Sequence, residues 1–135
     1  MEIKTIRQSV TFSASPKEIY DMLMDSRKHA KFTGAKAKIS DKVGGSFTAW
    51  DGYIIGKNVE LVPGKKIVQM WRSDEEGWPK DHFSKITYHL TAGSKKGTTK
   101  LTFSQSGLPA KVVKSITSGW KEYYWEPMKE YLKNL

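Results

Sequence analysis

The chain has 135 residues, 38% hydrophobic and 27% charged, enough for one domain with a buried core. With no cysteine it has no disulfide framework, no thiolate nucleophile and no thiolate metal site. Twenty-three basic against fourteen acidic residues give a net charge of +9, which favours acidic partners. No stretch is long and apolar enough to span a bilayer, and Met1 to Val10 lacks an apolar run of signal length. The expectation is therefore a cytosolic protein of one domain, residues 1–135.

In chain order, Ile3 to Phe12 reads as a strand with Ile6, Val10 and Phe12 on one face. Ser15-Pro16-Lys17-Glu18 then spells a helix start, with Ser15 as N-cap, Pro16 at the first helical position and Glu18 closing a capping box. This predicts a helix over Pro16 to Met24, followed by a second from Ser26 to about Phe32 that Gly34 ends. From Ala35 the chain becomes a meander. Strands are predicted at Ala35 to Ser40, Ser46 to Trp50, Tyr53 to Val62, Lys66 to Ser73, His82 to Ala92 and Thr98 to Ser106. Asp51-Gly52 and Pro63-Gly64 are the turn signals between them, and Gly56 marks a bulge or a close approach. Gly107-Leu108-Pro109 leads into a closing helix from about Val113 to Leu132.

That helix carries Val113, Ile116, Trp120, Tyr124 (or Tyr123), Pro127 and Tyr131 at spacings of three and four, extended by Leu132 and Leu135. So many large rings need a wide apolar partner, and the remaining elements are strands. The fold class is α+β: a curved antiparallel sheet of six to seven strands, two short helices after the first strand, and one long C-terminal helix across the sheet. Pro127 should bend this helix near its end.

Alternation sends Ile86, Tyr88 and Leu90 inward from one strand and Leu101 and Phe103 from the next, with Trp120 closing over them. With Trp71, His82 and Tyr124 these residues line a candidate ligand chamber, apolar with a few polar handles. The same residues serve equally as a filled core, and the number of rings favours a small or closed cavity. Enzymatic constellations are weak. His29, His82 and His89 do not converge on a metal, no nucleophile elbow or phosphate loop appears, and Asp51 is better explained as a turn residue. No cofactor and no catalytic residue is assigned. Arg27, Lys28, Lys31, Lys36, Lys38 and Lys42 form the densest basic run, and the first five make a candidate partner-binding face. The aromatics alternate with apolar residues rather than with basic ones, which argues against nucleic acid.

The run of motifs is more specific than any single one. Ser15-Pro16-x-Glu18-Ile19-Tyr20, Phe32-Thr33-Gly34, Asp51-Gly52-Tyr53-Ile54-Ile55-Gly56 and Glu60-Leu61-Val62-Pro63-Gly64 occur in order. They are followed by Ile67 to Arg72, Trp78-Pro79-x-x-His82-Phe83 and Gly119-Trp120-x-x-Tyr123-Tyr124. Over nearly its whole length the chain resembles the C-terminal domain of the family named for the activator of the heat-shock protein 90 ATPase, within the START-like superfamily. The resemblance implies a helix-grip fold and a non-enzymatic, co-chaperone-like regulator with heat-shock protein 90 as partner. The wider superfamily implies an alternative, an intracellular binder of an apolar small molecule under the C-terminal helix. The two-domain activators carry a separate N-terminal domain, which is not expected here because the chain opens at the first strand of the C-terminal type.

Overall fold

Ser15 caps a helix as its position predicts. In the computed structural model, which describes Met1–Leu135, Glu18 N–H donates to Ser15 Oγ at 3.2 Å while Ser15 N–H donates to Glu18 Oε1 at 3.3 Å. This closes the capping box at the start of α1 (Pro16–Met24). Asp25 ends α1 and caps α2 (Ser26–Thr33) through its carboxylate, which accepts from Lys28 N–H at 2.9 Å. Gly34, at φ 77°, supplies the left-handed residue that terminates α2. Both helices lie between β1 (Ile3–Phe12) and the meander.

Seven strands form one antiparallel sheet in the order β1-β7-β6-β5-β4-β3-β2. The remaining strands are β2 (Lys38–Ile39), β3 (Ser46–Ala49), β4 (Ile54–Val62), β5 (Lys66–Ser73), β6 (Ser84–Ala92) and β7 (Thr99–Pro109). The first strand therefore pairs with the last, and the meander runs away from that pair. β2 is shorter than expected, and β6 starts at Ser84 rather than His82. β7 runs on through Gly107, Leu108 and Pro109, because Ile3 and Lys4 of β1 pair with Pro109 and Leu108. Gly56 is a close approach: a Cβ there would stand 1.9 Å from Met70 O and 2.4 Å from the Phe47 ring. The irregularity in β4 falls instead between Asn58 and Glu60.

The C-terminal helix is continuous but not uniform. It runs as α3 (Val113–Trp120), a π-wound segment Lys121–Trp125 and α4 (Glu126–Lys133). The wide turn sits just ahead of Pro127, and the residue without an N–H falls in the first turn of α4. The extra residue also shifts which side chains face the sheet. Ile116, Trp120 and Tyr124 are buried as expected, but below the wide turn the inward positions are Trp125 and Met128. Pro127, Tyr131 and Leu132 are only half-buried, and Leu135 is exposed. No helix is long and apolar enough to cross a membrane.

The interior is tied by buried polar relays. Trp120 Nε1–H donates to Gln105 Oε1 at 2.8 Å, Gln105 Nε2–H to Ser84 Oγ at 2.9 Å, and Ser84 Oγ–H to Trp71 O at 2.8 Å. Each group in the chain is satisfied, which is the condition for burying it without penalty. A second tie joins the helix to β1: Trp125 Nε1–H donates to Gln8 Oε1 at 2.7 Å and Gln8 Nε2–H to Thr117 O at 2.9 Å.

Candidate functional site

The expected chamber beneath β6 and β7 is filled. Ile86, Tyr88, Leu90, Leu101 and Phe103 are all buried, and the helix rings occupy the space between them. The Phe103 and Trp120 centroids are 4.4 Å apart, Tyr88 and Phe103 5.5 Å, and Trp120 stacks on Trp125 at 5.5 Å. Burial raises the Tyr88 phenol well above its ordinary pKa, so it remains a neutral part of this packing. His82 lies just before β6, and its Nε2–H reaches Gly107 O at 2.7 Å, a structural hydrogen bond.

The neighbouring Trp78-Pro79-x-x-His82-Phe83 motif organises Arg72. The guanidinium donates to Pro79 O at 3.1 Å and His82 O at 3.3 Å, with the Trp78 and Phe83 rings each 5.8 Å from it. Of the nine residues assigned to the chamber, Trp71, Trp120 and Tyr124 face open space, in a different place.

That space is a cleft of about 520 Å³ between the helix and the turn that joins β3 to β4. One wall is the turn between β3 and β4, with Trp50, Tyr53 and Ile54; the floor is Trp71 and Ser73 of β5. The opposite wall is the helix, through Ser115, Ile116, Gly119, Trp120, Tyr123 and Tyr124. Glu75, from the loop after β5, completes it.

The sequence predicted a two-residue hairpin at Asp51-Gly52. The chain instead makes a 3₁₀ turn, Trp50–Gly52, in which Trp50 (φ 52°), Asp51 (φ 58°) and Gly52 (φ 91°) are all left-handed. Left-handed backbone costs a non-glycine residue about 1–2 kcal/mol, so something must hold it. Asp51 does so: its Oδ1 accepts from Lys36 N–H at 2.9 Å, and its own N–H donates to Lys36 O at 3.1 Å. The turn carries Trp50 across to the helix, where its centroid lies 5.4 Å from that of the half-exposed Tyr123.

At the floor, Ser73 is 1% exposed and its hydroxyl has no hydrogen-bond partner. It lies near enough to the Tyr53 phenol to oppose the rise in that group's pKa, a rise caused first by burial and then by the Glu75 carboxylate. Glu75 accepts a hydrogen bond from the Ser115 hydroxyl, which holds it at the mouth. Behind the cleft, Tyr124 Oη and His29 Nε2 are 3.0 Å apart. Burial lowers the His29 pKa to about 4, so the ring is neutral near pH 7, and it also raises the Tyr124 phenol. Nδ1 of His29 has no partner.

The basic run is brought together on the surface. Lys28 and Lys31 stand on α2, and Arg27, Lys36 and Lys38 line a groove of about 840 Å³ with Ser26, Thr48 and Asp51. All five cations are exposed and none takes part in an ion pair. The described side chains contain no group of three or more His, Cys, Asp or Glu placed to hold a metal ion.

A family model described as "Activator of Hsp90 ATPase homolog 1-like protein" matches residues 13–133. The chain belongs to this family. Similar relatives include the human "Activator of 90 kDa heat shock protein ATPase homolog 1", 38% identical over 120 residues, which are 89% of this chain and 34% of the human protein. The Dictyostelium discoideum homologue is 33% identical over 118 residues, 87% of this chain and 30% of that protein. The chain thus spans about a third of the length of the curated relatives it matches. Among solved structures, an HSP90 activator from Plasmodium falciparum superposes with a TM-score of 0.87 at 22% identity, covering 96% of both chains. The Aha1 dimer from Colwellia psychrerythraea superposes with a TM-score of 0.75 at 18% identity, covering 94% of both. These likenesses show the helix-grip fold, which the chain shares.

Residue-by-residue reading missed Trp50, Tyr53, Ser73 and Glu75. The available signal was a pair of rings, Trp50 and Tyr53, flanking Asp51-Gly52. Its meaning depended on the left-handed turn that carries Trp50 onto the helix.

Proposed function

We propose that this chain is a co-chaperone-like regulator that docks on an Hsp90 and changes its ATPase rate without chemistry of its own. Family membership supports the activity class. The observation that carries the docking mode is the strip of five unpaired cations on α2 and the segment after it, beside an open groove. Exposed charges of one sign steer an acidic partner and raise its association rate, with little effect on stability.

The test is ATP turnover by Hsp90 with no addition, with the wild type, and with Lys28→Glu, Lys31→Glu and Lys36→Glu combined. Stimulation by the wild type should be reduced in the triple variant. The wild-type effect should also weaken with salt, because exposed charges are screened within about 8–10 Å at physiological ionic strength. Equal turnover in all three samples would remove the proposal.

A second reading is favoured by the aromatic cleft, whose volume lies in the range of small-molecule sites, about 300–1,000 Å³. In this reading the chain binds a small, largely apolar molecule there. A ligand raises the melting temperature in proportion to RT ln(1 + [L]/Kd), so a thermal-shift panel checks it. A shift that persists when Trp50 is changed to Ala would place the ligand elsewhere.

A further inference from the structure

We propose that the cleft between the Trp50–Gly52 turn and the C-terminal helix binds a small organic cation, a tertiary or quaternary ammonium on an apolar body. The inference rests on the second reading above and names its ligand class; docking on the chaperone is independent of it.

Three observations converge. Six aromatic residues line the cleft: Trp50, Tyr53, Trp71, Trp120, Tyr123 and Tyr124. Aromatic faces are negative at their centres and attract an ammonium within about 6 Å, most strongly for tryptophan. In a chain of net charge +9, the only charged side chain lining this cleft is an acid, Glu75, with no lysine or arginine beside it. Asp74 and Glu76 flank it in sequence, and the Tyr53 phenol feels both Glu75 and Asp74. Finally, the Ser73 hydroxyl is buried at the floor beside the Tyr53 phenol, on the strand face that also carries Trp71, and makes no close hydrogen bond.

Each alternative ligand fits less well. An anion would be brought against Glu75. A purely apolar molecule would strip water from the Glu75 carboxylate, whose partner is the neutral Ser115 hydroxyl, and would offer it no counter-charge. A cation pairs with Glu75 and lies against the rings. If it is a tertiary ammonium, its N–H also has Ser73 Oγ to donate to. The site is prepared in advance: Ser115 holds the carboxylate, and Asp51 clasps the turn that carries Trp50, so little ordering remains on binding.

The experiment is an NMR titration of the intact chain, following the indole N–H signals of Trp50, Trp71 and Trp120. The probes are choline, its uncharged carbon isostere 3,3-dimethylbutan-1-ol, and benzyltrimethylammonium. Choline should bind roughly ten-fold tighter than the alcohol, a difference of the size that cation–π contacts and one carboxylate supply, and benzyltrimethylammonium tighter still. Glu75→Gln, which keeps an acceptor for Ser115, should weaken both cations by roughly five- to twenty-fold and leave the alcohol unchanged, with no change in melting temperature.

If the alcohol binds as well as choline, or Glu75→Gln affects all three probes alike, the cation assignment falls while the cleft remains a small-molecule site. If none of the probes moves the three indole signals at about 10 mM, a concentration that reveals even millimolar affinity, the cleft reading falls with it. Neither result bears on ATPase stimulation, which is read with the triple charge reversal.

Discussion

Two sides of one helix use large aromatic rings differently. On the sheet-facing side, Trp120 and Trp125 stack at 5.5 Å, their indole N–H groups end on Gln105 and Gln8, and the Phe103 ring packs against both. On the side facing the β3–β4 turn, Tyr123 stands half-exposed against Trp50 over open volume, above a serine hydroxyl with no partner. The rings of the first region have their indole N–H groups matched, and of them only Trp120 also borders the cleft, so their role is chiefly packing. The second region has the opposite properties, rings over open space beside a buried serine hydroxyl, which are the properties that the proposed ligand site rests on. Aromatic content alone does not separate the two.

The largest test of this contrast is Trp120→Ala. It should cost about 3–5 kcal/mol, the usual penalty for truncating a buried large ring, and it would also leave Gln105 Oε1 without its donor. Chemical denaturation checks it. A midpoint equal to that of the wild type would mean that the packed region is not what holds the helix.

Next comes pH. His29 is neutral in the fold with a pKa of about 4, against about 6.5 when unfolded. Between these values the unfolded chain binds the extra proton, so the stabilisation present above pH 6.5 is lost as pH falls toward 4, to a total of about 3 kcal/mol. Unfolding free energies measured across that window should slope accordingly. In His29→Gln, which cannot titrate, this part of the slope should disappear.

Gly56→Ala tests the tight middle of the sheet. Its Cβ would overlap Met70 O and the Phe47 ring, and overpacking of this kind costs about 1–3 kcal/mol. The smallest effect is expected in the open region. Tyr123→Ala should change stability by less than about 1 kcal/mol, as for most surface substitutions, while weakening any ligand of the cleft. A large loss of stability there would show that Tyr123 belongs to the core, and the distinction between the two regions would collapse.

Local signals were the most legible. The Ser15–Glu18 box, Gly34 and the alternation of β6 each depend on residues a few positions apart, and each appears where expected. The filled chamber was also foreshadowed by the number of rings competing for it. The π-wound turn before Pro127 has no comparable local code. It passes the inward stripe to Trp125 and Met128, which a uniform helical period places off the face. The cleft was illegible for a related reason. Its lining comes from a turn, a strand, a loop and the helix, and Trp50 joins them only because Lys36 clasps Asp51 in a left-handed conformation. The basic run could be read as a list of residues, but its gathering beside a groove required β2 to be a two-residue strand followed by an irregular return.

The pairing of β1 with β7 bears on how the chain acquires its structure during synthesis. Ile3 through Phe12 find their partners only among Thr99 to Pro109, and Gln8 is not satisfied until Thr117 and Trp125 are in place. At about 5–20 residues per second, roughly 100 intervening residues leave the first strand unpaired for about 5–20 s on the ribosome. Such long-range closure is also the slow class of folding event. Lys4, Arg7, Gln8 and Ser9, interspersed along that strand, keep the waiting segment hydrated and discourage it from pairing with a neighbour's edge before its own partner emerges.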